Sequence, residues 1–175
     1  MIFLSEAEVR ELLDLDELVD ALADAHRDLS AGEASMPPRI AAFAQNDGLL
    51  AVMPAYLPSA GLACKLVTLF PKNRDRHTHQ ALICVFDEKN GTPVALMDGT
   101  YITATRTAAG SALATRLLAR EDSRVLAILG SGVQARTHAD ALRRVREFAE
   151  IRVASRDRAH AEQLASEIGA QAVDS

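Results

Sequence analysis

The chain has 175 residues, 49% of them hydrophobic, with no tryptophan and a formal net charge of -5. That length suits one domain, or a domain with part of a second, and the mild acidity argues against a nucleic-acid partner. The opening "MIFLSEAEV" lacks the basic start and the long apolar run of a signal peptide. No uninterrupted apolar run approaches the roughly 18 residues of a membrane span. A soluble cytoplasmic protein with no membrane partner is therefore expected.

The charge is unevenly placed. Residues 1–33 carry ten acids against two arginines, and residues 34–175 carry fourteen acids against seventeen Lys or Arg. Within the acidic stretch, Ser5 and Glu8 have capping-box spacing, and Asp14 and Glu17 repeat it. Leu18, Leu22, Ala25 and Leu29 then make one apolar stripe, with Gly32 as a stop. Two helices with a wet acidic face are predicted.

After "SMPPR" the period changes. "GLLAVMPAYL" and "GLACKLVTLF" are short, glycine-led and apolar, and "QALICVFDEKNGTPVALMDG" reads as strand, turn, strand about Asn90-Gly91. Four strands imply a small mixed or antiparallel sheet that needs a cover, which the acidic helices or the alanine-rich run "YITATRTAAGSALATRLLA" can supply. Small residues in that run permit close packing, including packing between subunits. Cys64 and Cys84 sit in apolar runs and read as buried free thiols, a disulfide being open on count alone.

A boundary is expected near "REDS", giving domains 1–120 and 121–175. Beyond it the pattern is β-α-β: "RVLAIL", "VQARTHADALRRV" and "EIRVASR", followed by part of another helix from "DRAHAEQLASEIG". Gly130, Gly132 and Ala135 form G-x-G-x-x-A between strand and helix, the setting of a dinucleotide site. Gly130 permits the tight turn, Gly132 lets the backbone approach a pyrophosphate, and Ala135 lets the helix lie close to the strand. Ser131, Val133 and Gln134 fill the same turn, and the helix start adds free N–H groups. The second strand ends in Ser155 and Arg156, where an NAD site would carry an acid. Arg156 points toward NADP, whereas Asp157 would suit NAD if the strand ran further.

Together "MPPR" at 36–39, "GLACKLVTLFPKN" at 61–73, "THQALICVFDEKNGTPVALMDGTYITATRTAAGSALA" at 78–114 and "LGSGVQARTHADAL" at 129–142 resemble the ornithine cyclodeaminase and mu-crystallin family. The resemblance implies an α/β fold: a small mixed-sheet substrate and dimerisation domain, then a Rossmann-type domain present only in part. It implies NADP or NAD as cofactor, a small amino-acid or imino-acid substrate and a homodimer. Carried over from the family, Arg39, Lys65 and Arg106 hold the substrate carboxylate, with Lys65 also catalytic. Thr78 assists the substrate pocket. The residues alone allow plainer roles, an edge-strand lysine and surface ion pairs. His77 and His79 lie at i, i+2, but no third ligand has useful spacing and no metal site is expected.

The activity so implied is an amino-acid dehydrogenase or a ketimine reductase. Alternatives are an ornithine cyclodeaminase, in which the substrate's own side-chain amine attacks the imine, ammonia leaves and the hydride returns, and a non-catalytic dinucleotide-dependent binding protein. A full nucleotide domain has two βαβαβ halves. The cyclodeaminase branch keeps an essential aspartate in the later half, and no residue here matches it. Residues 1–175 alone are expected to expose a sheet edge and to lack full activity.

Overall fold

The computed structural model describes residues 1–174. The chain divides into two compact units, Met1–Asp14 with Ala23–Thr103, and Leu15–Leu22 with Ala104–Ser175.

The first unit is built on a six-stranded sheet. Its strands are β1 (Ile2–Leu4), β2 (Ile40–Phe43), β3 (Leu49–Leu57), β4 (Gly61–Leu69), β5 (His79–Phe86) and β6 (Pro93–Asp98), in the order β1-β6-β5-β4-β3-β2. β1 runs parallel to β6 and every other pairing is antiparallel, so the sheet is mixed, as expected. The four apolar runs expected as strands form β3, β4, β5 and β6. β1 and β2 are additions that complete the two edges.

Helix α1 (Glu6–Leu12) packs on β1 and β6 and buries Val9. The Ser5–Glu8 capping box is formed: the Ser5 N–H donates to the Glu8 carboxylate at 2.8 Å, and the Glu8 N–H donates to Ser5 Oγ at 3.4 Å. Arg10 stacks 4.0 Å above the centre of the Tyr101 ring, a cation–π contact. Helix α2 (Leu15–Ala31) follows as predicted and stops at Gly32, whose φ of +76° suits a glycine. The Asn90-Gly91 turn also forms, with Gly91 at φ +75° and its N–H donating to the Asp87 carbonyl at 2.8 Å.

The sheet has two unlike faces. Lys65, Ala51, Ala81 and Ile83 share one face by register. Ala51 and Ala81 are buried there, and a Cβ on Gly99 would lie 3.0 Å from the Ala81 methyl, a tight approach that glycine relieves. The other face carries Phe3, Ile40, Leu50 and Leu82, each at least 41% exposed, with Cys64 and Cys84 directly opposed between them. Both thiols are free and half-buried, which corrects the expectation of full burial.

The second unit centres on a parallel sheet of β7 (Val125–Leu129), β8 (Glu150–Ala154) and β9 (Gln171–Ala172), in the order β7-β8-β9. Helices α4 (Val133–Arg143) and α5 (Arg158–Ile168) cover one side. Ile128, Ile151 and Val153 from the strands meet Ala135, Ala139, Ala161, Leu164 and Ile168 from the helices in a single core. The expected partial helix is a complete α5, closed by Gly169 at φ +64° and followed by a third strand. The segment expected as a domain boundary is the turn between helix α3 (Thr100–Leu118) and β7, while the compact units part inside α3, at Thr103. Ala108, Ala109 and Ala112 of α3 are fully buried within the protomer, so those small residues are not offered to a partner. Among the described residues no helix is long and apolar enough to cross a membrane.

Candidate functional site

The strongest local geometry lies where β7 and β8 end. β7 stops at Leu129 because Gly130 turns the chain at φ +115°, a conformation closed to other residues. The Gly130 N–H donates to the Ala154 carbonyl at 2.8 Å, tying this turn to the end of β8. A second tie joins the hydroxyls of Ser131 and Ser155 at 3.1 Å. Gly132 is the N-cap of α4 at φ -84°, with no side-chain capping bond. A Cβ built on Gly132 meets nothing within 4 Å, so the helix start opens on empty space. Ala135 is 9% exposed in the core against the sheet, the close packing its small side chain was expected to allow. Val133 and Gln134 occupy the exposed first turn.

An open cleft of about 980 Å³ adjoins this turn, lined by Leu129 to Ser131, Ala154 to Asp157, and His160. β8 ends at Ala154, which leaves Ser155, Arg156 and Asp157 in the loop beyond it. Asp157 is the N-cap of α5: one carboxylate oxygen accepts from the Ala159 N–H at 2.9 Å and the His160 N–H at 3.3 Å. Its other oxygen lies 3.3 Å from His160 Nδ1. His160 is a site residue that sequence reasoning missed. The available signal was Asp157 as a capping residue, which places a side chain three positions on in the first helical turn.

Helices α4 and α5 are joined by a charge pair. Arg136 of α4 bonds Glu167 of α5, and Gln163 adds 3.0 Å to the same carboxylate. The Arg136 guanidinium, then Gln163, hold the Glu167 carboxyl below the usual glutamate range. His138 is half-buried on α4. Its Nδ1 donates to the Gln134 carbonyl at 2.7 Å, and its Nε2 is hydrogen-bonded to the Ser111 hydroxyl at 3.0 Å.

The residues expected to bind substrate are distributed differently. Lys65 is half-buried at the centre of β4, level with Met53 on β3 and Ile83 on β5. Arg39 is exposed and directly precedes the Ile40–Val52 pair, next to the Met53–Lys65 row. Thr78 precedes β5, five residues from Ile83. That separation is on the order of 17 Å along a strand, so the fold does not bring Thr78 to Lys65. Arg106 is exposed on the second turn of α3 and belongs to the second unit. Asp98 caps α3, accepting from the Thr100 N–H at 2.8 Å. His77 stands in the loop and His79 opens β5, and no group of three metal-ligating side chains occurs among the described residues.

Residues 1–174 match the model of the ornithine cyclodeaminase/mu-crystallin family. The mouse ketimine reductase mu-crystallin is 40% identical over 174 residues, which cover 95% of this chain and 56% of that protein. Among solved structures, the Thermococcus litoralis Delta(1)-pyrroline-2-carboxylate reductase in complex with NADH and L-proline superposes with a TM-score of 0.90 at 34% identity, over 100% of this chain and 57% of that one. An archaeal alanine dehydrogenase dimer with bound NAD gives 0.92 at 32% identity, over 100% and 56%. The chain thus spans little more than half the length of the relatives it matches.

Proposed function

The chain belongs to the ornithine cyclodeaminase/mu-crystallin family, and on that premise we propose that it serves an NAD(P)-dependent amino-acid dehydrogenase or ketimine reductase in the cytoplasm. The observation that carries this reading is the turn itself. Gly130 at φ +115° and the open space at Gly132 leave a helix start bare of side chains, beside a cleft of suitable size. A pyrophosphate needs such a backbone approach, and free N–H groups with the positive end of the helix dipole favour its charge. Ser131, Val133 and Gln134 border the dinucleotide, and Ser155 and Arg156 meet its adenosine ribose. The bound dinucleotides of the Thermococcus reductase and the archaeal dehydrogenase support this assignment.

When bound, the nicotinamide supplies a hydride to the substrate's α carbon or takes one from it. The chain's own residues hold the substrate. Lys65, and Arg39 next to the Met53–Lys65 row, meet its carboxylate through charge-assisted hydrogen bonds. Lys65 Nζ also exchanges a proton with the substrate nitrogen. Arg106 joins this clamp on the strength of the family resemblance. Thr78, just before β5, assists the substrate pocket on the same resemblance, away from Lys65 itself. The open apolar face of Phe3, Ile40, Leu50 and Leu82 is read as the homodimer contact, supported by the dimeric archaeal relative.

The test is NADPH and NADH oxidation with cyclic imino acids and with 2-oxo acids plus ammonia. Turnover of a carboxylate-bearing imine is expected. Tight dinucleotide binding without turnover on any substrate would overturn the enzyme reading in favour of a binding protein. Cyclisation of a diamino acid with no net change in cofactor would replace it with a cyclodeaminase.

A further inference from the structure

We propose that His160 is a second cationic ligand, beside Arg156, for a phosphate on the adenosine 2′ position, and that this makes the chain selective for NADP. The inference rests on the dinucleotide reading above and deepens it. A site that reads the free ribose diol uses a carboxylate at the end of the second strand. Asp157 is the one carboxylate among the residues that line the cleft. Its carboxylate already serves the helix start: one oxygen accepts the Ala159 and His160 N–H groups, and the other lies 3.3 Å from His160 Nδ1. The remaining polar side chains of the cleft are Ser131, Ser155, Arg156 and His160, all able to donate.

A 2′-phosphate wants such a set: a guanidinium, a hydroxyl and an imidazolium. The His160 side chain is 66% exposed, stands three residues after the cap and lines the cleft. The charged groups around it are Asp157 at the cap and Arg156 in the preceding loop. The β7 end and the glycine turn contribute Leu129, Gly130 and Ser131, none titratable. Further along α5, Arg158 is engaged by Glu162 and Asp174. A protonated imidazole ring carries a positive charge and a neutral one does not, so protonation of His160 strengthens the phosphate contact. A phosphate monoester gains its own second proton near about pH 6, which weakens its charge. Tighter binding at the acid end therefore has to come from the protein.

Calorimetric titration of the protein with 2′,5′-ADP and with 5′-AMP, at about pH 6 and about pH 8, tests this. The 2′,5′-ADP should bind about tenfold or more tightly, with the larger ratio at the acid pH. H160Q should lose the acid gain and keep the 5′-AMP affinity. Equal binding of the two nucleotides overturns the inference and leaves the dinucleotide reading standing. A preference that is flat with pH and unchanged in H160Q assigns the phosphate to Arg156 alone and removes His160. Failure of both nucleotides to bind overturns the dinucleotide reading itself.

Discussion

The hydroxyls of Ser131 and Ser155 meet at 3.1 Å, so the loops that follow β7 and β8 are joined by a side-chain bond in addition to the Gly130–Ala154 backbone bond. The link is half-buried and sits in the lining of the cleft. Removing either hydroxyl should weaken dinucleotide binding by about 0.5–1.5 kcal/mol. The S131A/S155A double variant should cost little more than the worse single change, because the two act as one bond. Calorimetry on the four proteins reads this coupling, and fully additive losses would mean that the hydroxyls act separately.

The two glycines of the turn should fail in different ways. Gly130 holds φ +115°, so Gly130→Ala strains the backbone and should cost about 1–3 kcal/mol of stability together with binding. Gly132 has φ -84° and open space around it. Gly132→Ala should lose no more than about 1 kcal/mol of stability, yet lose most dinucleotide affinity, since the methyl enters the space left for the pyrophosphate. Thermal melts with parallel titrations separate the two. Retained affinity in G132A would remove the pyrophosphate from this turn.

Much of this site was legible before the fold was known, because Gly130, Gly132 and Ala135 act through local backbone geometry that residue type alone signals. The strands β3, β4, β5 and β6 were legible as short apolar runs bounded by glycine and by the Asn90-Gly91 turn. The strands β1, β2 and β9 have three, four and two residues, too few for a period to appear, and they exist because a neighbour offers hydrogen bonds. The parting of the units inside α3 was not legible, since a helix keeps its local pattern whichever core each turn packs into. Nor was the use of Ala108, Ala109 and Ala112 within the protomer, because small residues suit any close contact. Arg39 and Lys65 were placed by family resemblance, and Arg39 directly precedes the Ile40–Val52 pair, next to the Met53–Lys65 row. Thr78 was placed the same way, and the length of β5 separates it from Lys65.

Acid should weaken the N-terminal capping box before it affects the cores. The Ser5 hydroxyl, then the Ser5 N–H, hold the Glu8 carboxyl below the usual glutamate range. The folded chain thus binds that proton less readily than the unfolded chain. The stabilisation is whole above the ordinary glutamate range and disappears as pH falls through the lowered folded value. Urea unfolding across that window should show the parent losing stability more steeply than Glu8→Gln. Parallel pH profiles would mean that the box does not contribute.

The apolar sheet face should hold two protomers together. Leu82 is 46% exposed at its centre, level with Leu66 and Asp98. Light scattering should give at least twice the protomer mass, and Leu82→Glu should shift the protein toward monomer by placing a charge in an apolar contact. A monomeric parent at assay concentration would leave that face to another partner.

The most direct test of the account follows one atom. NADPH or NADH deuterated at the transferring carbon is mixed with the protein and a cyclic imino acid, and the amino-acid product is weighed by mass spectrometry. Hydride transfer predicts one deuterium on the α carbon of each product molecule, with Arg106→Met forming far less product while still binding dinucleotide. Product without the label, or labelled cofactor that binds and never yields product, would contradict the account.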